Sequence, residues 1–242
     1  MSDSIAQYID HAVLHPTQTE NDLRAACDLC VNVGAASVCV KPYLVPRTAE
    51  LLSGSSVKVS TVLSFPHGAC TTQVKVAEAH DACQAGAVEL DMVANLGKVF
   101  AGQWHDVRDD IAAVVAAAGQ HGAIVKVIFE TGLLADDQQK IQLCRCCEDA
   151  GAAFVKTSTG FGYVKQPDGT VTATGATFDD IALMRANCSD KVGVKASGGI
   201  RTLEVARRFI ELGATRLGTS STQALVDEER GIASEPIDQS NY

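Results

Sequence analysis

Two lysines sit in matching surroundings, Val155-Lys156-Thr157-Ser158-Thr159-Gly160 and Val194-Lys195-Ala196-Ser197-Gly198-Gly199. Each ends a β-branched apolar run and is followed by small residues, as where a buried strand runs out into a turn. On neighbouring strands their ammonium groups repel in a low-dielectric site, so one of them titrates below its free value. A neutral lysine amine attacks carbonyl carbon and forms an imine, an electron sink that permits C–C cleavage beside it. The residues alone leave open which lysine attacks; the other holds its pKa down and shuttles protons. Asp91, in Glu89-Leu90-Asp91-Met92, is placed to relay protons through water or Lys195, and Asp10 to pair with a lysine. Lys126 and Glu130 are assigned to supporting ion pairs. Glu89, next to Leu90, is expected to face outward toward helices.

Two small-residue turns, Ser197-Gly198-Gly199 and Gly218-Thr219-Ser220-Ser221, have the character of phosphate-binding loops. Their N–H groups and hydroxyls can face an anion that glycine lets approach closely. Thr159-Gly160 extends the same cradle. The substrate expected from these residues is a phosphorylated small carbonyl compound.

The elements that must position these residues are marked by a repeat. Gly-Ala recurs at Gly34, Gly86, Gly122, Gly151 and Gly213, each time after a helix-like stretch and before an apolar run. A helix ending on a left-handed glycine and leading into a strand accounts for the pattern. The strands expected are Ala36–Val40, Val57–Leu63, Val88–Val93, Ile124–Phe129, Phe154–Lys156, Val192–Lys195 and Thr215–Gly218. Ile9–Leu14, after an N-terminal helix, makes the eighth. A repeat of about 26 to 36 residues is the size of a strand–helix unit, and eight such units give an α/β fold, the (β/α)8 TIM barrel. An open doubly wound sheet is the weaker alternative, because no Gly-rich dinucleotide turn follows an early strand. Pro167-Asp168-Gly169 within Gly162–Gly175 predicts a hairpin inserted after the sixth strand, read as a lid or a subunit contact. Residues 1–228 are read as one catalytic domain and 229–242 as a flexible C-terminal tail.

Composition narrows the function classes. The 242 residues carry 20 Lys+Arg against 29 Asp+Glu, a formal charge of −9, with no basic run. Nucleic-acid and anionic-membrane partners are therefore not expected. The polar N-terminus lacks a signal-peptide pattern and no apolar run reaches bilayer length, so a cytoplasmic protein is expected. Nine cysteines then read as reduced thiols. Neither they nor the six histidines show a four-ligand metal spacing, so no metal and no cofactor is expected. Two other readings are a phosphosugar isomerase using carboxylate and His chemistry, and a non-catalytic phosphometabolite sensor. The first lacks a His at a strand end near Asp91, and the second has no need of Lys156, Lys195 and Asp91 together.

Over nearly its whole length the chain resembles the deoxyribose-phosphate aldolases, a class I aldolase family. The resemblance runs through Ile9-Asp10-His11, Val38-Cys39-Val40, Ser64-Phe65-Pro66-His67-Gly68, Leu90-Asp91-Met92-Val93, both lysine motifs and Gly218-Thr219-Ser220-Ser221. It implies reversible cleavage of 2-deoxy-D-ribose 5-phosphate to D-glyceraldehyde 3-phosphate and acetaldehyde. It also implies Lys156 as the Schiff-base lysine, Lys195 as its acid/base neighbour and Asp91 as the relay carboxylate. By the same match Thr159, Gly198, Gly199, Ser220 and Ser221 cradle phosphate, and the terminal Tyr242 assists proton transfer at the enamine carbon. A homo-oligomer, dimer or tetramer, is implied too. Cys39 stands where a cysteine makes some relatives sensitive to aldehydes. The chain departs from many relatives at Ala12, His15 and Lys41, and Phe161 stands where some members carry a phosphate-binding lysine.

Overall fold

The computed structural model describes residues 4–232. In chain order its elements are β1 (Ile9–Val13), α1 (Glu20–Val33), β2 (Ser37–Val40), α2 (Val45–Leu51), β3 (Lys58–Leu63), α3 (Thr72–Gln84) and β4 (Glu89–Val93). There follow α4 (Leu96–Phe100), α5 (Trp104–Gly119), β5 (Ile124–Ile128), α6 (Asp137–Asp149), β6 (Phe154–Lys156), β7 (Tyr163–Lys165) and β8 (Val171–Ala173). The last are α7 (Phe178–Ala186), β9 (Gly193–Ser197), α8 (Leu203–Glu211), β10 (Arg216–Thr219) and α9 (Thr222–Glu229). Eight parallel strands close into a barrel in the order β1-β2-β3-β4-β5-β6-β9-β10, and β7 and β8 form a separate antiparallel hairpin. The chain is thus a (β/α)8 barrel, with the hairpin inserted after β6.

The repeat works as its chemistry requires. The five glycines of the repeat, Gly34, Gly86, Gly122, Gly151 and Gly213, have positive φ, from 72° at Gly122 to 110° at Gly86, a conformation costly for a residue with a Cβ. Helix starts are capped by Thr71, Asp136, Thr177 and Thr202, whose side chains accept from N–H groups of the first turn. Strand residues of one parity, among them Val38, Leu90, Met92, Val127, Val155, Val194 and Leu217, are buried in the hydrophobic core shared with the helices.

The other parity fills the barrel with polar side chains rather than the usual branched apolar layers. Asp10, Ser37, Ser60, Glu89, Asp91, Lys126, Lys156 and Lys195 are all buried and bonded to one another across the interior. This corrects the outward placement of Glu89. It shares parity with Asp91, not Leu90, and its carboxylate meets Lys126 at 2.7 Å and Arg216 at 2.9 Å inside the barrel.

The two ends of the described residues, 4–5 and 229, pack against each other. The N-terminal helix expected before β1 is a single 3-10 turn, Ile5–Tyr8. Glu229, the last residue of α9, accepts from Ser4 Oγ at 2.8 Å and Ile5 N at 3.0 Å and pairs with Arg207. Tyr242 lies outside the described residues. Among the described residues no helix is long and apolar enough to cross a membrane.

Between α3 and α5 lies a fully buried pair, Lys75 Nζ to Asp110 Oδ2 at 2.6 Å, with Lys75 also donating to the Val93 carbonyl and Thr72 to Asp110. Removing one partner strands the other charge without water. Lys75→Met is expected to lower stability by about 3 kcal/mol, and pairing it with Asp110→Leu to restore part of the loss. Calorimetric melting of the two variants checks this; equal losses would mean that packing, not charge, dominates there.

Candidate active site

The strand ends converge on one charged cluster. β6 and β9 are hydrogen-bonded neighbours with Lys156 and Lys195 in register. Between them lies the carboxylate of Asp91 from β4, whose Oδ2 accepts from Lys156 Nζ at 2.8 Å and from Lys195 Nζ at 2.7 Å. Lys195 also donates to Asp10 Oδ2 at 2.5 Å, and Lys126 holds the other oxygen of Asp91 at 2.9 Å. Deeper in the barrel, Arg216 meets Asp10 and Glu89 and stacks over Phe154 at 5.3 Å from the ring centre.

The interior therefore holds three carboxylates (Asp10, Glu89, Asp91) and four cations (Lys126, Lys156, Lys195, Arg216). With every group ionised these seven side chains carry one excess positive charge, offset only from a distance by the buried Glu130 carboxylate near Lys156. Burial alone pushes the Asp10 and Asp91 carboxyls up, yet the surrounding lysines outweigh it and hold both well below the usual carboxylate range. Burial pushes both active-site lysines down. Lys195 recovers, and ends above the ordinary lysine value, because Asp10 and Asp91 both face it. Lys156 has Asp91 alone, shares that oxygen with Lys195, and stays below its ordinary value through burial and the charge of Lys195. The geometry thus separates the two lysines that sequence chemistry left equivalent.

Above the cluster opens a cavity of about 220 Å³ lined by Asp10, Cys39, Lys156, Thr159, Gly160, Phe161, Lys195, Gly198, Gly199, Ser220 and Ser221. All the expected cradle residues are thus brought to one wall, together with Arg201 and, from the hairpin, Ala173, Thr174 and Gly175. Asp91 is fully buried beneath the lysines and reaches the cavity only through them. Gly198 and Gly199 have φ of 88° and 81°, a consecutive positive-φ pair of the kind that can form an anion-binding concavity. Phe161 closes the cavity on one side, edge-on to Phe65 with ring centres 5.5 Å apart.

Of the two residues expected in supporting ion pairs, Lys126 makes them and Glu130 does not. Glu130 makes no ion pair among the described residues: both Thr159 donors, N–H and hydroxyl, are directed at its carboxylate. Lys126 is a full member of the interior cluster, a role its parity with β5 neighbours alone could not show. Lys41 ties down the β1–α1 loop, donating to the carbonyls of His15 and Gln18. Burial pushes the His11 imidazole down to about 4, so it stays neutral on Thr222. Among the described residues no group of three or more His, Cys, Asp and Glu side chains could hold a metal ion.

Known proteins share this fold. The family model for DeoC/LacD family aldolases matches residues 4–228. The chain belongs to that family. It is 46% identical over 226 residues to the deoxyribose-phosphate aldolase of Caldicellulosiruptor saccharolyticus, covering 93% of this chain and 98% of that one. To the deoxyribose-phosphate aldolase of Brevibacillus brevis it is 47% identical over 220 residues, 91% of this chain and 94% of the other. The tetrameric deoxyribose phosphate aldolase structure from Aeropyrum pernix superposes with a TM-score of 0.83 at 31% identity, over 93% of this chain and 91% of that one. This DeoC/LacD family aldolase therefore carries its two lysines on the relatives' common barrel.

Replacing Lys195 by Met removes the positive neighbour that holds Lys156 down and leaves the Asp91 Oδ2 oxygen to Lys156 alone. Both changes raise the Lys156 pKa. Acylation of Lys156 by acetic anhydride, followed by mass spectrometry across pH, should have a midpoint below 10.5 in the wild type and a higher one in Lys195→Met. An unmoved midpoint would mean that burial alone sets it.

Proposed function

We propose that the chain reversibly cleaves 2-deoxy-D-ribose 5-phosphate to D-glyceraldehyde 3-phosphate and acetaldehyde through an imine on Lys156. The observation that carries this reading is the asymmetry of the lysines around Asp91: Lys156 has one shared carboxylate oxygen, Lys195 has two carboxylates. Neutralising Lys156 removes the single excess charge of the cluster, so the nucleophilic amine is also the protonation state that the interior favours.

The steps follow from that state. Lys156 Nζ attacks the aldehyde carbon of the open-chain sugar, and the carbinolamine loses water as a proton reaches its hydroxyl from Lys195. The 3-hydroxyl then gives up its proton to a base, the C2–C3 bond breaks, and its electron pair enters the iminium to leave an enamine. Glyceraldehyde 3-phosphate departs, a proton is added at the enamine carbon, and water hydrolyses the ethylidene imine to acetaldehyde and free amine. Lys195 and Asp91 are the proposed proton carriers, and Asp10 fixes Lys195 in position. The phosphate would lie across Gly160, Gly198, Gly199, Ser220 and Ser221, where helix N-termini and left-handed glycines favour an anion. No cofactor is needed for this sequence of steps.

The proposal extends to a homo-oligomer of two or four chains acting in the cytoplasm, with neither nucleic acid nor membrane as partner. The tetrameric Aeropyrum pernix relative supports the first part, and the formal charge of −9 supports the last. Cys39 lines the same cavity, with its thiol pushed up by burial. Cys39→Met is expected to slow loss of activity during incubation in acetaldehyde; an unchanged rate would place the damage elsewhere.

Cyanoborohydride reduction in the presence of acetaldehyde, followed by peptide mapping, should give an ethyl adduct on Lys156. Lys156→Arg should lose cleavage of 2-deoxyribose 5-phosphate by about 10⁴-fold or more. An adduct on Lys195 would exchange the two roles, and no adduct on a folded protein would remove imine chemistry altogether.

A further inference from the structure

Glu130, two residues after β5, has a left-handed conformation, φ 53° and ψ 57°, which is costly for a residue with a Cβ. Its side chain is 1% exposed. Buried carboxylates ordinarily pair with a cation, whereas this one is bonded to hydroxyl and amide donors and feels the Lys156 charge only from beyond ion-pair distance. Thr159 N–H reaches Oε2 at 3.2 Å, the Thr159 hydroxyl donates to the same oxygen, and the Thr174 hydroxyl lies 3.4 Å from Oε1. Burial pushes the carboxyl up, against the pull of the Thr159 donors.

Those contacts join two separate segments of the cavity wall. Thr159 belongs to the turn after β6, Thr174 to the return limb of the β7–β8 hairpin, and both line the cavity. Backbone bonds continue the connection, from Thr174 N to the Gly162 carbonyl at 2.9 Å and from Ala176 N to the Gly198 carbonyl at 3.2 Å. The junction has no room for larger side chains. A Cβ on Gly162 would lie 2.7 Å from the Glu130 carboxyl carbon, and one on Gly175 would lie 2.7 Å from the Gly198 oxygen. Glycine is thus required at these crossings by space rather than by φ, since neither residue is in the left-handed region.

We infer that Glu130 is a positioning residue for the phosphate end of the cavity. It fixes the Thr159-Gly160 turn and, through Thr174 and the hairpin base, the Gly198-Gly199 turn, and it takes no part in the chemistry at Lys156. Thr159 accordingly shapes the cradle through Glu130, with both of its own donors already engaged. The inserted hairpin is the fixed third wall of the cradle. This rests on the imine aldolase reading for its substrate, but the geometry it concerns is an anion site that can be probed without turnover.

Two measurements test it. Glu130→Gln keeps the size of the side chain and loses its charge-assisted bonds, so KM for 2-deoxyribose 5-phosphate should rise about tenfold while kcat falls less than about twofold. The preference for that sugar over unphosphorylated 2-deoxyribose, as a ratio of kcat/KM, should drop about tenfold as well. Inorganic phosphate titrated calorimetrically into wild type and variant should show the same loss of affinity without any reaction. Thr174→Val, at the far side of the junction, should move KM and phosphate affinity in the same direction by a smaller factor, and serves if Glu130→Gln does not fold. Equal loss on both sugars, or unchanged phosphate affinity in both variants, would overturn the inference. A wild type that binds phosphate but cleaves neither sugar would instead remove the proposed reaction and leave the phosphate titration to decide the role of Glu130.

Discussion

The Asp91 carboxylate holds three lysines at once, with one oxygen on Lys126 and the other shared by Lys156 and Lys195. One carboxylate cannot neutralise three ammonium groups, and Asp10 and Glu89 add only two more negative charges against Arg216 as a fourth cation. Where the excess charge resides is settled by contacts. Lys195 and Lys126 each meet at least two carboxylates, and Lys156 meets one. A barrel with a conventional apolar filling would offer no such gradient. Here the charged interior is the device by which one amine differs from its neighbour on the next strand, although both strands present the same residue at the same level.

That device depends on register. Lys156 and Lys195 face each other because β6 pairs directly with β9, with the hairpin looped out between them in sequence. Asp91 pairs in register with Lys126 across β4 and β5, while Lys126 stands beside Phe154, one strand residue pair below Lys156. A slip of one residue in any of these strands would turn its charge out into the hydrophobic layer beneath the helices. The left-handed glycines that end the helices serve the same purpose, since they set the point at which each strand begins. Burying so many charges is no gain in itself. The stability of the fold comes from the outer apolar layer, and the interior uses part of it for chemistry.

Much of this was legible in the sequence because the relevant signals are local. The Gly-Ala repeat located every barrel strand preceded by it, and strand-end position alone brought Asp10, Asp91, Lys156 and Lys195 into one group. What escaped was set by parity and by contacts across the barrel. Glu89 was compared with Leu90, when the informative neighbour was Asp91 two residues on. Lys126 could not be joined to Asp10 or Glu89 without the barrel's curvature, which brings β1, β4 and β5 side chains to one point. The difference between Lys156 and Lys195 is of the same kind, because their local sequences are nearly interchangeable.

Glu130 shows a further limit of linear reading. Two residues of even spacing placed it with Lys126 on one strand face, which made an ion pair the natural assignment. The left-handed backbone at Glu130 breaks that alternation and turns the carboxyl toward the β6 turn and the hairpin. A buried carboxylate is unfavourable unless its charge is met by donors, and the Thr159 N–H and hydroxyl do this. The same site thus uses carboxylates in two ways. Asp91 distributes charge among three buried amines, while Glu130 takes up the Thr159 donors and ties together the turns along the cavity.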